Sequence, residues 1–304
     1  MKSQTRPVLF ALVALLCFAA GVGVGTHAQR LYGFLFTRSR RVTFAGARGA
    51  LEGRIYYPRR IVTRKYPGIL FCHGMLPKGK SAKAYSRLMQ LLARRGYLVM
   101  SFDLHGFGES SKAAAHLTVP RDLDFVADVR DALDFMTRRL PVDPDTLAVA
   151  GHSMGANLAF AVGAGSPRVR NIILISPGNY RRDDRYPEGM KIFFARKLGQ
   201  AINHDVTVED WDRIEKPLAL AQYLPFAQPK GVLFILADSE AEGMLPYSRT
   251  MYEGLDARKK LVVIPDCNHT FGYDDFTGSE LIDPRPARLI AAAIDSWLKN
   301  SGRK

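Results

Sequence analysis

The stretch that decides the fold is residues 147–165, which read LAVAGHSMGANLAFAVGAG. A short β-rich run leads into the pattern Gly-x-Ser-x-Gly, with Ser153 at its centre, and a helical pattern follows. In this strand–turn–helix context the serine stands on a tight turn, so that its hydroxyl projects above the sheet. Such a turn needs a strained backbone and close packing, which explains the two flanking glycines. The sequence therefore predicts Ser153 as a nucleophile.

The segments on either side alternate between short β-rich runs and longer helical patterns. Apolar residues follow helical spacing in residues 82–95, 121–139 and 288–298. The β-rich runs are residues 41–45, 51–57, 68–72, 97–102, 147–150, 171–175, 232–236 and 261–264. This alternation is typical of βαβ units and predicts an α/β fold, with a mostly parallel sheet of about eight strands flanked by helices.

The alternation breaks at residues 179–229, which are rich in charged and aromatic residues and hold no strand-like run. Structureless loops of this length are uncommon unless they have a function. We expect a cap over one end of the sheet, inserted in an α/β domain that spans residues 41–304. Its aromatic side chains favour either an apolar substrate pocket or a core of the cap itself. They include Tyr180, Tyr186, Phe193, Phe194 and Trp211.

The N-terminus carries an apolar run at residues 8–25, preceded by Lys2 and Arg6. Its length is near the lower limit of about 17 residues for a helix that spans a bilayer. We predict a transmembrane signal-anchor within residues 1–29, and hence membrane attachment by the N-terminus. A cleaved signal peptide is the alternative, which would make the protein secreted or periplasmic. Basic residues flank the run on both sides, so the orientation stays open.

The chain is strongly basic, with a formal net charge of +14 over 304 residues. Such a charge favours anionic surfaces, but the lysines and arginines are scattered and no nucleic-acid motif is present. We therefore expect no nucleic-acid partner. The spacing of the glycines at residues 103–110 matches neither the Gly-x-Gly-x-x-Gly motif nor the P-loop of nucleotide-binding proteins. No cluster of metal-ligand residues stands out. The sequence predicts neither a cofactor nor a metal, and it leaves the oligomeric state open.

His73 and Gly74 end an earlier strand, and backbone N–H groups after such a pair can face the nucleophile. We predict an oxyanion hole formed by the N–H groups of Met75 and Met154. Two fixed donors of this kind each stabilise the transition state by about 3 kcal/mol.

A general base should follow the last strand, and His269 is the one histidine there. The acid that orients it should follow the strand at residues 232–236, where Asp238, Glu240 and Glu242 all qualify. His105 and His152 are expected to be structural or to line the pocket.

Taken together, these residues resemble those of the α/β-hydrolase superfamily, near its dienelactone hydrolase, acyl-CoA thioesterase and serine aminopeptidase-like branches. The resemblance rests on four segments: His73-Gly74 and residues 103–110, 151–155 and 268–271. Residues 103–110 are similar to the family pattern Asp-x-Arg-Gly-x-Gly-x-Ser, with His105 in place of the arginine. It implies Glu240 as the acid, because Ala237 holds the place of a glycine that ends the family's strand three residues earlier.

The resemblance also implies hydrolysis of an ester, thioester or amide through an acyl-enzyme. A carboxylesterase or lipase-like activity on a small or lipid-like acyl substrate is the leading expectation. The alternatives are an acyltransferase that uses the same triad, and a non-catalytic binding protein with a hydrolase fold.

Overall fold

The computed structural model describes residues 38–58, 65–110, 122–178, 188–227, 230–240, 244–275 and 277–301. The predicted N-terminal membrane segment lies outside these ranges, as do Glu242, Tyr180 and Tyr186. Within the ranges, no helix combines the length and apolar character needed to cross a membrane.

Eight strands form one sheet in the described part of the chain. They are β1 (Ser39–Gly46), β2 (Gly49–Tyr56), β3 (Tyr66–Cys72), β4 (Leu98–Phe102), β5 (Val142–His152), β6 (Asn171–Ile175), β7 (Gly231–Ser239) and β8 (Arg258–Asn268). Their spatial order is β1-β2-β4-β3-β5-β6-β7-β8. The pairs β1–β2 and β2–β4 are antiparallel, and every later pair is parallel. The predicted mostly parallel sheet is thus confirmed.

Helices cover both faces of the sheet. They are α1 (Lys83–Arg94), α2 (Phe125–Arg139), α3 (Met154–Gly165), α4 (Glu188–Ile202), α5 (Val208–Glu215), α6 (Met244–Gly254) and α7 (Arg285–Ser301). Successive side chains of a strand point to opposite faces, so Leu70 and Cys72 join the core beneath α2 and α3. Ile69 and Phe71 join the core beneath α1 and α7. This double coverage explains why β4 and β6 are buried along their whole length.

Two element boundaries that differ from the sequence prediction have a local physical cause. Helix α2 begins at Phe125 because the Asp124 side chain accepts a hydrogen bond from the Ala127 N–H and caps the helix. Residues 265–268, expected to form a loop, belong to β8. Pro265 is tolerated there because β8 is an edge strand of the sheet.

The described parts of the segment between β6 and β7 are mostly helical and contain no strand. It contains α4, α5 and two short 3-10 stretches, Lys216–Leu218 and Leu220–Phe226. Trp211 is buried and stacks on Phe194 with ring centroids 5.3 Å apart, whereas Phe193 is 52% exposed. Two of the predicted aromatic residues therefore form a core within this segment.

Candidate active site

Ser153 occupies a sharp turn between β5 and α3. Its backbone has φ of 54° and ψ of −126°, a region that residues other than glycine rarely adopt. The two flanking glycines are required by close approach. A Cβ on Gly151 would lie 2.0 Å from the Gly155 carbonyl oxygen, and one on Gly155 would lie 2.2 Å from that of Cys72. The Ser153 N–H donates to the Ile175 oxygen at 3.0 Å, which ties the turn to β6.

His269 and Glu240 form a close pair next to this turn. His269 Nδ1 lies 2.7 Å from Glu240 Oε2, and the side chains are 19% and 1% exposed, respectively. Burial raises the pKa of Glu240, but hydrogen bonds from His269, Ser176 and the Ala237 N–H outweigh it, so the net pKa is lowered. A carboxylate can only accept, so the neutral ring carries its proton on Nδ1. Nε2 is then the proton acceptor that a general base needs.

Asp238, a second predicted acid, has other partners in the described structure. The Asp238 carboxylate accepts hydrogen bonds from the backbone N–H groups of Asp266 at 2.7 Å and Cys267 at 2.9 Å. These bonds lower the pKa of Asp238, and they fix the strand end that carries His269. Glu242 lies outside the described residues. The geometry therefore brings Glu240, and not Asp238, to the imidazole.

A buried chain of hydrogen bonds joins the segments of the site. His152 Nε2 lies 2.8 Å from the His269 carbonyl oxygen, His152 Nδ1 lies 2.7 Å from the Tyr85 hydroxyl, and the Gly74 N–H donates to that hydroxyl at 3.0 Å. Burial, with the charge of His269, holds the pKa of His152 well below its usual value. The neutral ring therefore donates from Nε2 and accepts from Tyr85 at Nδ1. The sequence pointed to His152 as structural or pocket-lining, but nothing in it indicated Tyr85.

The predicted oxyanion donors lie where the β3 end meets the turn. A Cβ on Gly74 would lie 3.0 Å from Ser153 Cβ, so the backbone before Met75 passes directly beside the serine. The Met75 N–H donates to no backbone carbonyl within the described ranges. Met154 is the first residue of α3, where N–H groups have no partner within the helix. Both N–H groups are thus available to a developing oxyanion.

The glycine-rich residues 103–110 form a tight turn around Asp103. Its carboxylate accepts from Lys80 Nζ at 2.5 Å, from the Lys80 N–H at 2.7 Å and from the Glu109 N–H at 2.9 Å. A Cβ on Gly79 or Gly108 would lie within 2.4 Å of this carboxylate, and both glycines have positive φ. The loop is therefore organised by a buried ion pair.

Two buried histidines hold the same loop in place. His73 Nε2 accepts from the Leu104 N–H at 3.1 Å, and His105 Nδ1 lies 2.6 Å from Asp128 Oδ1. Neither histidine contacts His269 among the described residues. Among all the residues that the structure describes, no group of three histidine, cysteine or acidic side chains could hold a metal ion.

Asn157 is a site residue that the sequence reading missed. It is buried one turn after Ser153, and its Nδ2 donates to the Gly178 oxygen at 3.0 Å and the Leu218 oxygen at 2.8 Å. Its Oδ1 accepts from the Gly178 N–H at 2.8 Å. Gly178 precedes the helical segment, so one side chain fastens that segment at two points to the helix behind the serine. The sequence feature that could have indicated Asn157 is a polar amide within an otherwise apolar helical run.

Comparisons with known proteins agree with this fold. Residues 66–225 match the family model described as serine aminopeptidase, S33, and the chain belongs to this family of α/β-hydrolases. The uncharacterised protein YfhR of Salmonella typhimurium is 28% identical over 194 residues, which are 55% of this chain and 62% of that relative. The matched part of the chain thus spans about three fifths of this relative.

Two further similarities involve proteins whose names carry an activity. The monoacylglycerol lipase of Mycolicibacterium smegmatis is 32% identical over 109 residues, or 36% of each chain. The crystal structure of the dienelactone hydrolase from Anabaena variabilis superposes with a TM-score of 0.56 at 16% identity, covering 87% of this chain and 98% of that one. At this identity the second similarity concerns the fold alone.

Proposed function

We propose that this protein is a serine hydrolase that cleaves carboxylic esters of apolar acyl groups through an acyl-enzyme intermediate. The observation that carries the proposal is the 2.7 Å pair between His269 Nδ1 and Glu240, held in a loop that is hydrogen-bonded to the residue before Ser153. Ester cleavage is favoured by the similarity to a protein named monoacylglycerol lipase.

In the proposed mechanism, Ser153 Oγ attacks the carbonyl carbon while His269 Nε2 takes the hydroxyl proton. The N–H groups of Met75 and Met154 stabilise the oxyanion of the tetrahedral intermediate. The bond to the leaving alcohol breaks as His269 returns the proton to the alcohol oxygen. Water then attacks the acyl-enzyme with His269 again as base, which releases the acid and restores Ser153. Glu240 keeps the ring in its productive tautomer and stabilises the imidazolium.

The proposed substrate is lipid-like, and the helical segment at residues 188–226 forms the cap over its acyl chain. Support comes from the double attachment of this segment to Asn157, just behind Ser153. We further propose that residues 1–29 anchor the enzyme to a membrane, where such substrates are concentrated. This part of the proposal rests on the apolar run at residues 8–25.

The test is a chain-length series of p-nitrophenyl esters with the full chain in detergent, run beside acyl-CoA and aminoacyl substrates. We expect turnover of medium or long esters, with kcat/KM lower by roughly 10⁴-fold or more in Ser153→Ala. Ser86→Ala, on the outer side of α1, is the matched control and should retain full activity. Equal turnover by the Ser153→Ala variant would refute the proposal, and a preference for acyl-CoA or aminoacyl substrates would reject the ester assignment.

A further inference from the structure

A cavity of about 720 Å³ opens at the amino ends of the parallel strands. Its lining includes Asn171, Gly231 and Arg258, which are the first residues of β6, β7 and β8, together with Ser301 at the end of α7. Ser153 and His269 follow the carboxyl ends of β5 and β8. Because a strand rises about 3.3 Å per residue, the length of β8 separates the cavity from His269 by roughly 35 Å. The cavity is therefore distinct from the candidate active site.

Positive charge dominates the lining of this cavity. Arg95, Arg170, Arg258 and Lys299 all line it. Two carboxylates partly offset them, since Asp145 lies 3.4 Å from Arg170 and Asp295 lies 2.8 Å from Lys299. A fifth cation, Lys230, is nearby; burial lowers the pKa of Lys230, and the charge of Arg170 lowers it further. The positive charges outnumber the negative ones, so the cavity is a concave, basic surface.

Arg258 is held in a fixed position at the base of this surface. Its guanidinium lies 3.9 Å from the ring centroid of Trp297, and its Nη2 donates to Asn171 Oδ1 at 2.8 Å. Gly231 makes room for it, because a Cβ there would lie 1.9 Å from Nη2. Ser301 Oγ donates to the same Asn171 oxygen at 3.1 Å, which orients the amide. The stacking, the hydrogen bond and the glycine together preorganise the guanidinium.

The same arginine has no anionic partner in the described structure. Among the residues described, no carboxylate lies within 4.0 Å of it, and the bond to Asn171 is the one side-chain hydrogen bond that it donates. Partial burial lowers the pKa of Arg258, but the residue is exposed and open to the cavity. A guanidinium offers five N–H donors in a planar fork, and the bond to Asn171 uses one of them. The remaining donors face a ligand-sized space with a positive lining.

We propose that this cavity binds a phosphate-bearing anion, with Arg258 as its central contact and Lys299 and Arg170 at its rim. Guanidinium groups bind phosphate with two parallel hydrogen bonds, and a lysine adds a mobile point charge. Thr146 and Ser301 also line the cavity and add hydroxyl groups. A soluble phosphoester and a phospholipid headgroup share this chemistry. At roughly 35 Å from His269, the bound anion is not the hydrolysed ester.

The first arm of the test is titration calorimetry of the full chain in detergent with pyrophosphate. We expect a Kd below about 1 mM, at least tenfold weaker binding in Arg258→Gln, and a smaller loss in Lys299→Gln. Lys299 is exposed, so its substitution keeps the test valid even if Arg258→Gln fails to fold. The matched control is Arg138→Gln on the exposed side of α2, which removes one surface cation and should bind like wild type.

The second arm separates the two sources of phosphate. It measures retention of the same four proteins on phosphatidylcholine vesicles with and without phosphatidic acid. An excess on the phosphatidic acid vesicles that is lost in Arg258→Gln, but not in Arg138→Gln, assigns a lipid headgroup; pyrophosphate binding without that excess assigns a soluble phosphoester. If neither probe binds, or if all four proteins bind equally, the inference is wrong. Neither readout depends on esterase activity, so the result stands apart from the proposed function.

Discussion

Glu240 determines the orientation of His269, and its side chain is almost entirely buried. A glutamine in its place would present an amide that can donate to Nδ1 and stabilise the unproductive tautomer. We expect Glu240→Gln to lower kcat for ester hydrolysis on the order of 10⁴-fold with little change in KM. Glu253→Gln, an exposed change on α6, should be neutral. A Glu240→Gln enzyme with wild-type kcat would remove Glu240 from the triad.

The same carboxylate predicts how stability depends on pH. The pKa of Glu240 is lowered in the folded protein, whereas an unfolded glutamate titrates near about 4.3. Its ionised form therefore stabilises the fold above that pH, and this contribution is lost as the pH falls through the lower folded value. Urea unfolding from pH 7 downward should show the stability difference between wild type and Glu240→Gln shrinking below about pH 4. A difference that grows on acidification would contradict the assignment.

We predict that Tyr85 is a positioning residue, because its buried hydroxyl joins Gly74 to His152. Tyr85→Phe leaves the Gly74 N–H and His152 Nδ1 without this partner, at a cost of about 1–3 kcal/mol in the free energy of unfolding. Since the oxyanion loop would shift, we expect kcat to fall roughly tenfold or more while KM changes little.

The matched control for that variant is Tyr97→Phe. Its hydroxyl donates to Asp295 at 3.0 Å, at the opposite end of the sheet. Steady-state kinetics of both variants on one ester separate the two effects. A purely structural role for Tyr85 would lower stability and leave kcat unchanged, which would disprove the positioning role.

At the scale of elements, helix α3 links the nucleophile to the helical segment above it through Asn157. Asn157→Ala would leave the Gly178 N–H and two carbonyl groups without their partner, which costs about 1–3 kcal/mol. We expect a lower urea midpoint and a raised KM for long-chain esters, because the cap is no longer fastened. Asn300→Ala, an exposed change near the end of α7, serves as control. An unchanged KM in Asn157→Ala would show that the Asn157 contacts do not contribute to substrate binding.

The central strands were predictable because they are short apolar runs, and β4 and β6 are buried along their whole length. The end of β8 was not, since Pro265 normally breaks a strand and only its edge position makes it acceptable. Helix α6 was missed because its apolar face is short, with Tyr247 as the one large buried residue described in it. Position within the sheet, which the local sequence does not encode, decided where β8 ends.

At the scale of the whole molecule, the chain order of Ser153, Glu240 and His269 was enough to predict that three distant segments meet at one sheet edge. The motif around Ser153 predicts its own tight turn, because the glycines on both sides are needed for close packing. The choice between Glu240 and Asp238 required coordinates, since Asp238 lies within the last two residues of β7 and Glu240 directly follows that strand. The contacts of Tyr85 and Asn157 were also beyond prediction, because each joins segments that are far apart in the chain.

The most direct test of the account is peptide mapping after labelling with a fluorophosphonate, which reacts with an activated serine. We expect one adduct per chain, on Ser153, formed quickly in wild type and far more slowly in His269→Ala and Glu240→Gln. Labelling should be absent from Ser153→Ala and unchanged in Ser86→Ala. An adduct on another residue, or a rate at Ser153 that does not depend on His269, would contradict the central claim.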